Sequence, residues 1–89
     1  MNLYRISQDL VSGFDTYDSA VVAATDEDAA RRIHPYNECG VEVTDLDWGK
    51  ISIYDDSWCG GPEYVMVERI GVADEKIKQS VICKSFNAV

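Results

Sequence analysis

The sequence is short of cations. Eight lysines and arginines stand against sixteen aspartates and glutamates over 89 residues, a formal net charge of −8. That balance excludes a surface that grips DNA, RNA or an anionic membrane, because each phosphate contact needs a cation to release counterions. Basic protein partners and small ligands stay open. Long apolar runs are also missing. The longest, Ala20-Val21-Val22-Ala23-Ala24, is strand-length, far below the roughly 20 residues that span a bilayer. The opening Met1-Asn2-Leu3-Tyr4-Arg5 has no basic stretch leading into an apolar one, so no signal peptide is expected. The three cysteines are an odd number without framework spacing. They argue against a disulfide scaffold and for a reducing, cytoplasmic setting. A chain this short holds one domain, residues 1–89, with a core too small to spare for a deep pocket.

What is present is a folding composition, 46% apolar and 27% charged, read as strands with one clear helix. Residues 2–7 alternate, with Tyr4 and Ile6 on one side and Arg5 and Ser7 on the other, which predicts a strand. Residues 20–25 are small and β-branched and predict a second, buried on both faces. Between them, Gln8 to Ser19 makes a long connection around Gly13, and long loops in compact domains are often functional. Thr25 before Asp26, Glu27 and Asp28 is a helix start, with the hydroxyl as cap and the carboxylates at the positive end of the dipole. Ala29, Ala30 and Ile33 form its apolar stripe, and Pro35 stops it. The helix is expected over about 26–34.

Further on, 41–44 and 50–54 alternate around Asp45-Leu46-Asp47-Trp48-Gly49 and predict a small hairpin. A second long loop, 55–62, contains Cys59-Gly60-Gly61-Pro62. Residues 64–70 read as a strand, 73–78 as one helical turn, and 80–86 as a last strand. The expected order is β-β-α-β-β-β-β. Strands outnumber helices, so the fold class is α+β: a small two-layer domain, mostly antiparallel sheet, with the helix on one face.

Two regions carry candidate binding chemistry. In the first, Gly13-Phe14-Asp15-Thr16-Tyr17-Asp18-Ser19, rings supply contact area and Asp15, Thr16, Tyr17 and Asp18 fix orientation. The same residue types also make local turn bonds in an ordinary ordered loop. The spacing does not fit an EF-hand loop. In the second, Asp45, Asp47, Asp55 and Asp56 lie beside Trp48, Tyr54 and Trp58. Carboxylates bordering exposed rings suit a basic groove, the charges speeding encounter and the rings holding the complex. Trp58 is read as exposed, since a large ring in a glycine-rich loop is hard to bury fully. A solvated acidic face that keeps a small protein soluble is the alternative.

Other chemistry finds little support. His34, Cys39, Cys59 and Cys83 are ligand types, but no two have zinc-site spacing, and Cys83 reads as a buried strand thiol. Ser85, Cys59 and His34 lack any nucleophile signature. Cys59-Gly60-Gly61-Pro62 matches neither phosphate-binding glycine pattern. No catalytic residue, metal or cofactor is therefore expected.

Taken together, Ser7-Gln8, the segment 13–24, Ala30-Arg31-Arg32-Ile33-His34-Pro35 and Ser85-Phe86-Asn87-Ala88 resemble a group of small phage- and bacterium-encoded proteins. Those proteins carry a Gly-Tyr-Asp-Thr-Tyr-Asp-Ser-like segment near the start and tend to close with Ser-Phe-Asn-Ala-Gly, whereas this chain ends in Val89. The resemblance covers about half the chain and leaves out 36–63. It brings no activity. It implies a short acidic protein of a phage, working in the host cytoplasm. Small acidic phage proteins often inhibit host systems by presenting carboxylates to a nucleic-acid channel, and charge and size make the analogy. The expected function is thus a non-catalytic acidic binding protein, an anti-CRISPR-like inhibitor of a host defence or nucleic-acid-handling complex. Its partner would be a protein with a basic surface, with no direct nucleic acid and no membrane. The alternative is a homo-oligomer that sequesters a nucleotide-like signal by stacking on Tyr17 or Trp58.

Overall fold

The computed structural model describes residues 1–46, 48 and 57–87. They form β1 (Asn2–Ser7), β2 (Thr16–Ala24), α1 (Glu27–Arg31), β3 (Met66–Val72) and β4 (Ser80–Asn87), with a 3-10 turn at Pro62–Tyr64. The strands make a four-stranded sheet in the order β3-β1-β2-β4, and every pairing is antiparallel. The helix lies against β1, β2 and β3. This is the small α+β domain that the sequence predicts. No helix among the described residues is long and apolar enough to cross a membrane.

Register explains the core. Tyr4 stands opposite Val22 and Ile6 opposite Ala20, so the two-residue period sends one set of side chains to one face. Tyr4, Ile6, Ala20, Val22, Ala24 and Val81 are buried there with Ala29, Ala30, Ile33, Val43, Val65, Trp48 and Trp58. Full burial of each large apolar side chain contributes about 1.5–3 kcal/mol. The other face carries Arg5, exposed between half-buried Val21 and exposed Glu68. Opposite ends of the sheet have different roles. Val72 faces Asn2 and Ser80 faces Ala23, so the connection 73–79 passes one end, where the Ala73 N–H bonds the Met1 carbonyl at 2.9 Å. The β1–β2 loop occupies the other.

Several expectations need correction. Strand β2 starts at Thr16 rather than at residue 20. The loop before it is residues 8–15, because Thr16 and Tyr17 already pair with Asn87 and Phe86 on β4. The helix is only Glu27–Arg31, and its cap is Asp26, whose side chain accepts the Ala29 N–H at 2.8 Å. The Arg32 and Ile33 N–H groups bond only three residues back, to the Ala29 and Ala30 carbonyls, and Pro35 bars His34 from helical geometry. The third strand begins at Met66, since Pro62 starts a 3-10 turn that takes Tyr64. Residues 73–78 make a single turn, Ile77 N–H to Asp74 carbonyl at 2.9 Å. Residues 41–46 carry no strand. They are held instead by bonds from Gly40 to Val81 (2.8 Å) and from Val43 to Gln79 (2.7 Å). The rest of the expected hairpin, 49–54, lies outside the described residues. Cys83 is exposed and Cys59 is the buried thiol. The cause is again register: Cys83 stands opposite Val21, on the face away from the core.

Candidate functional site

The β1–β2 loop is built around one side chain. Gln8 follows β1 and is buried. Its Nε2 donates to the Val11 carbonyl (2.7 Å) and the Tyr17 carbonyl (3.1 Å), while its Oε1 accepts from the Leu10 N–H (2.9 Å) and the Val11 N–H (2.8 Å). Two donors and two acceptor bonds satisfy the whole amide. It acts as an internal template for the first turn of the loop. Gly13 then takes φ +103°, a left-handed conformation that glycine adopts without a Cβ penalty. Asp15 takes φ +61°, which aspartate tolerates better than most residues.

The second half of the loop is tied down as firmly. Thr16 Oγ1 donates to the Gly13 carbonyl at 2.8 Å. The Asp15 N–H donates to the Asn87 carbonyl at 2.6 Å, and Asn87 Nδ2 reaches Asp18 Oδ1 at 2.9 Å. The end of β4 therefore clamps the loop to β2. What this frame displays is apolar and acidic. Phe14 is 71% exposed and Leu10 61%. Asp9, Asp15 and Asp18, their neighbours in sequence, are all exposed. None of the three carboxylates has an ion pair among the described residues. From Ile6 to Ala30 the sequence contains six acidic residues and no basic one.

The structure sorts the predicted site residues sharply. Asp15 and Asp18 stand together at this loop. Thr16 and Tyr17 do not face solvent. Thr16 turns inward to hold Gly13, and Tyr17 joins the core, its ring 4.8 Å from that of Phe86 and under the Lys84 ammonium at 5.4 Å. Trp58 is 2% exposed, against the expectation of an exposed ring. The Ser57 carbonyl accepts the Tyr17 N–H at 2.8 Å, which brings residue 57 onto the sheet, and the indole of residue 58 fills the core. Trp48 is buried too, edge-on to His34 at 4.9 Å. Asp45 is exposed, and Asp47, Asp55 and Asp56 lie outside the described residues. Burial of Tyr17 and Trp58 leaves neither ring a free face to stack on a nucleotide base. Gln8, Leu10, Phe86 and Asn87 complete the loop end; the sequence offers only Asn87 of these, and as a polar contact for a nucleotide rather than as a clamp on the loop. Their signal was non-local, a pairing between residues 16–17 and 86–87 that no spacing along the chain announces.

His34 and Cys59, two of the chemistry-bearing residue types, are both buried. His34 is buried beyond the helix, and its Nδ1 accepts the Tyr36 N–H at 2.9 Å. Cys59 Sγ turns to the Gly61 carbonyl at 3.4 Å, and burial raises its pKa above the ordinary thiol value. That keeps it a thiol rather than a nucleophilic thiolate at neutral pH. No three His, Cys, Asp or Glu side chains converge as metal ligands among the described residues. The far end of the sheet offers an open groove of about 480 Å³ between Met1, Glu42, Glu75, Lys76, Ile77 and Lys78. Its charges are of both signs.

Comparison with known proteins adds nothing to these features. No protein-family model, curated protein or solved structure matches this chain.

Proposed function

We propose that the chain is a non-catalytic acidic binding protein that docks through its β1–β2 loop onto a basic protein surface. One observation carries the reading: a loop fixed at both ends displays Phe14 at 71% exposure on a stretch, 9–18, whose three charged residues are all exposed carboxylates. A preformed loop loses little entropy on binding. An exposed ring among like charges suits a partner that offers an apolar pocket edged by lysine or arginine. Carboxylates would accelerate encounter, and the ring would slow dissociation. In its finer form the partner is a nucleic-acid-handling or defence complex of the host, with Asp9, Asp15 and Asp18 occupying places that phosphates otherwise take.

The test is capture from bacterial lysate by tagged protein at low and high salt, read by native mass spectrometry. Wild type should retain a basic protein at low salt and release it at high salt. The Asp9→Asn/Asp15→Asn/Asp18→Asn variant should associate at least tenfold more slowly, with a flattened salt dependence, and Phe14→Ser should dissociate faster. Equal retention by all three overturns the proposal. A small molecule held at both salts without a protein would replace it with sequestration.

A further inference from the structure

We infer that the edge of β3, unpaired among the described residues, is a self-association surface, joining two copies of this chain into a continuous eight-stranded sheet. Backbone N–H and C=O groups demand partners, and an edge strand presents an unpaired row of them. The two edges of this sheet are not equivalent. Gly40 and Val43 bond the Val81 and Gln79 carbonyls, so the start of β4 is already occupied. Strand β3 pairs only with β1 among the described residues, and no backbone group of 66–72 takes part in a further bond there.

Two more observations select a second copy as the occupant. The stretch from Tyr64 to Val72 holds four large exposed apolar side chains: Tyr64 (53%), Met66 (50%), Ile70 (47%) and Val72 (65%). Its charges are Glu68 and Arg69 alone, so a strand of zero net charge lies at the edge of a chain of charge −8. Two copies meet there with the least mutual repulsion. An isologous antiparallel pairing about a two-fold near Val67 places half-buried Val67 beside its own copy and brings Tyr64 toward Ile70 of the second chain. The bulge between the Leu3 and Tyr4 pairings ends the regular stretch at Arg69 and limits the contact to a short ladder. A contact that small belongs with weak, concentration-dependent dimers.

The two-fold has a geometric result. Antiparallel β3 strands point the two β1–β2 loops to opposite ends of the joined sheet, so the dimer would offer two docking loops that cannot meet one flat partner together.

Sedimentation equilibrium from micromolar to millimolar chain tests this directly. The weight-average mass should rise from 9.9 kDa toward twice that value, and amide exchange within 66–72 should slow as concentration rises. Met66→Lys/Ile70→Lys should remain at one chain mass throughout, with an unchanged circular dichroism spectrum. Ile82→Lys on the β4 edge should dimerise as wild type does. A wild-type mass that stays at one chain at the highest concentration overturns the inference. So does dimerisation that survives Met66→Lys/Ile70→Lys or is lost in Ile82→Lys.

Discussion

Residues 8–15 and residues 57–62 are alike in sequence: both are glycine-containing connections that carry an aromatic ring. Their rings end in opposite places. Phe14 is 71% exposed and Trp58 is 2% exposed. Ring size and glycine content therefore do not decide exposure. The backbone around each ring does. Residue 57 is bonded to Tyr17 on the sheet, and the indole next to it enters the space between sheet and helix. Leu10 and Val11 are bonded instead to the Gln8 amide, and the phenyl ring of Phe14 stays exposed.

The largest way to break this contrast is to truncate both rings. Trp58→Ala should lose about 3–5 kcal/mol of stability in urea unfolding, as large core truncations do. Phe14→Ala should change stability by less than about 0.5 kcal/mol, typical of surface sites. Equal losses would mean that the loop ring is packed. Removing the template comes next. Gln8→Ala strips four hydrogen bonds from a buried position and should cost about 1–3 kcal/mol, with faster amide exchange at Leu10 and Val11. Gln8→Glu keeps the acceptor and loses the donors, so it should release the Val11 and Tyr17 carbonyls while retaining the bonds from the Leu10 and Val11 N–H groups.

The smallest effect separates the thiols. Cys39 and Cys83 should alkylate rapidly in the native protein and Cys59 only on unfolding, as counted by intact mass. Burial raises the folded Cys59 pKa above its ordinary 9.0. The unfolded chain thus gives up that proton first. Stability from this group is intact below about pH 9 and falls as pH rises beyond it. A Cys59→Ser comparison of unfolding across that range should isolate the loss.

Much of the fold was legible because it is local. The alternation of Tyr4 and Ile6, the small residues of 20–24 and the stop at Pro35 each declare themselves within a few positions. The cap is Asp26 rather than Thr25: both are good caps, and only the backbone chooses between them. The site was half legible. Asp15 and Asp18 stand out by residue type, whereas Tyr17 and Trp58 look like recognition rings until the sheet register and the Ser57 contact consign them to the core. Gln8 gives no local sign as a template, and Asn87 none as a clamp, since each acts on groups that are distant or turned toward it only after folding.

The way Gln8 works also bears on how this protein could change partners. Its amide makes its four hydrogen bonds to main-chain atoms of Leu10, Val11 and Tyr17. The path of the chain is thus set separately from what the chain displays. Positions 9, 10, 12 and 14 form an interchangeable cassette on a fixed bracket, open to rapid divergence in specificity while the scaffold beneath them stays the same.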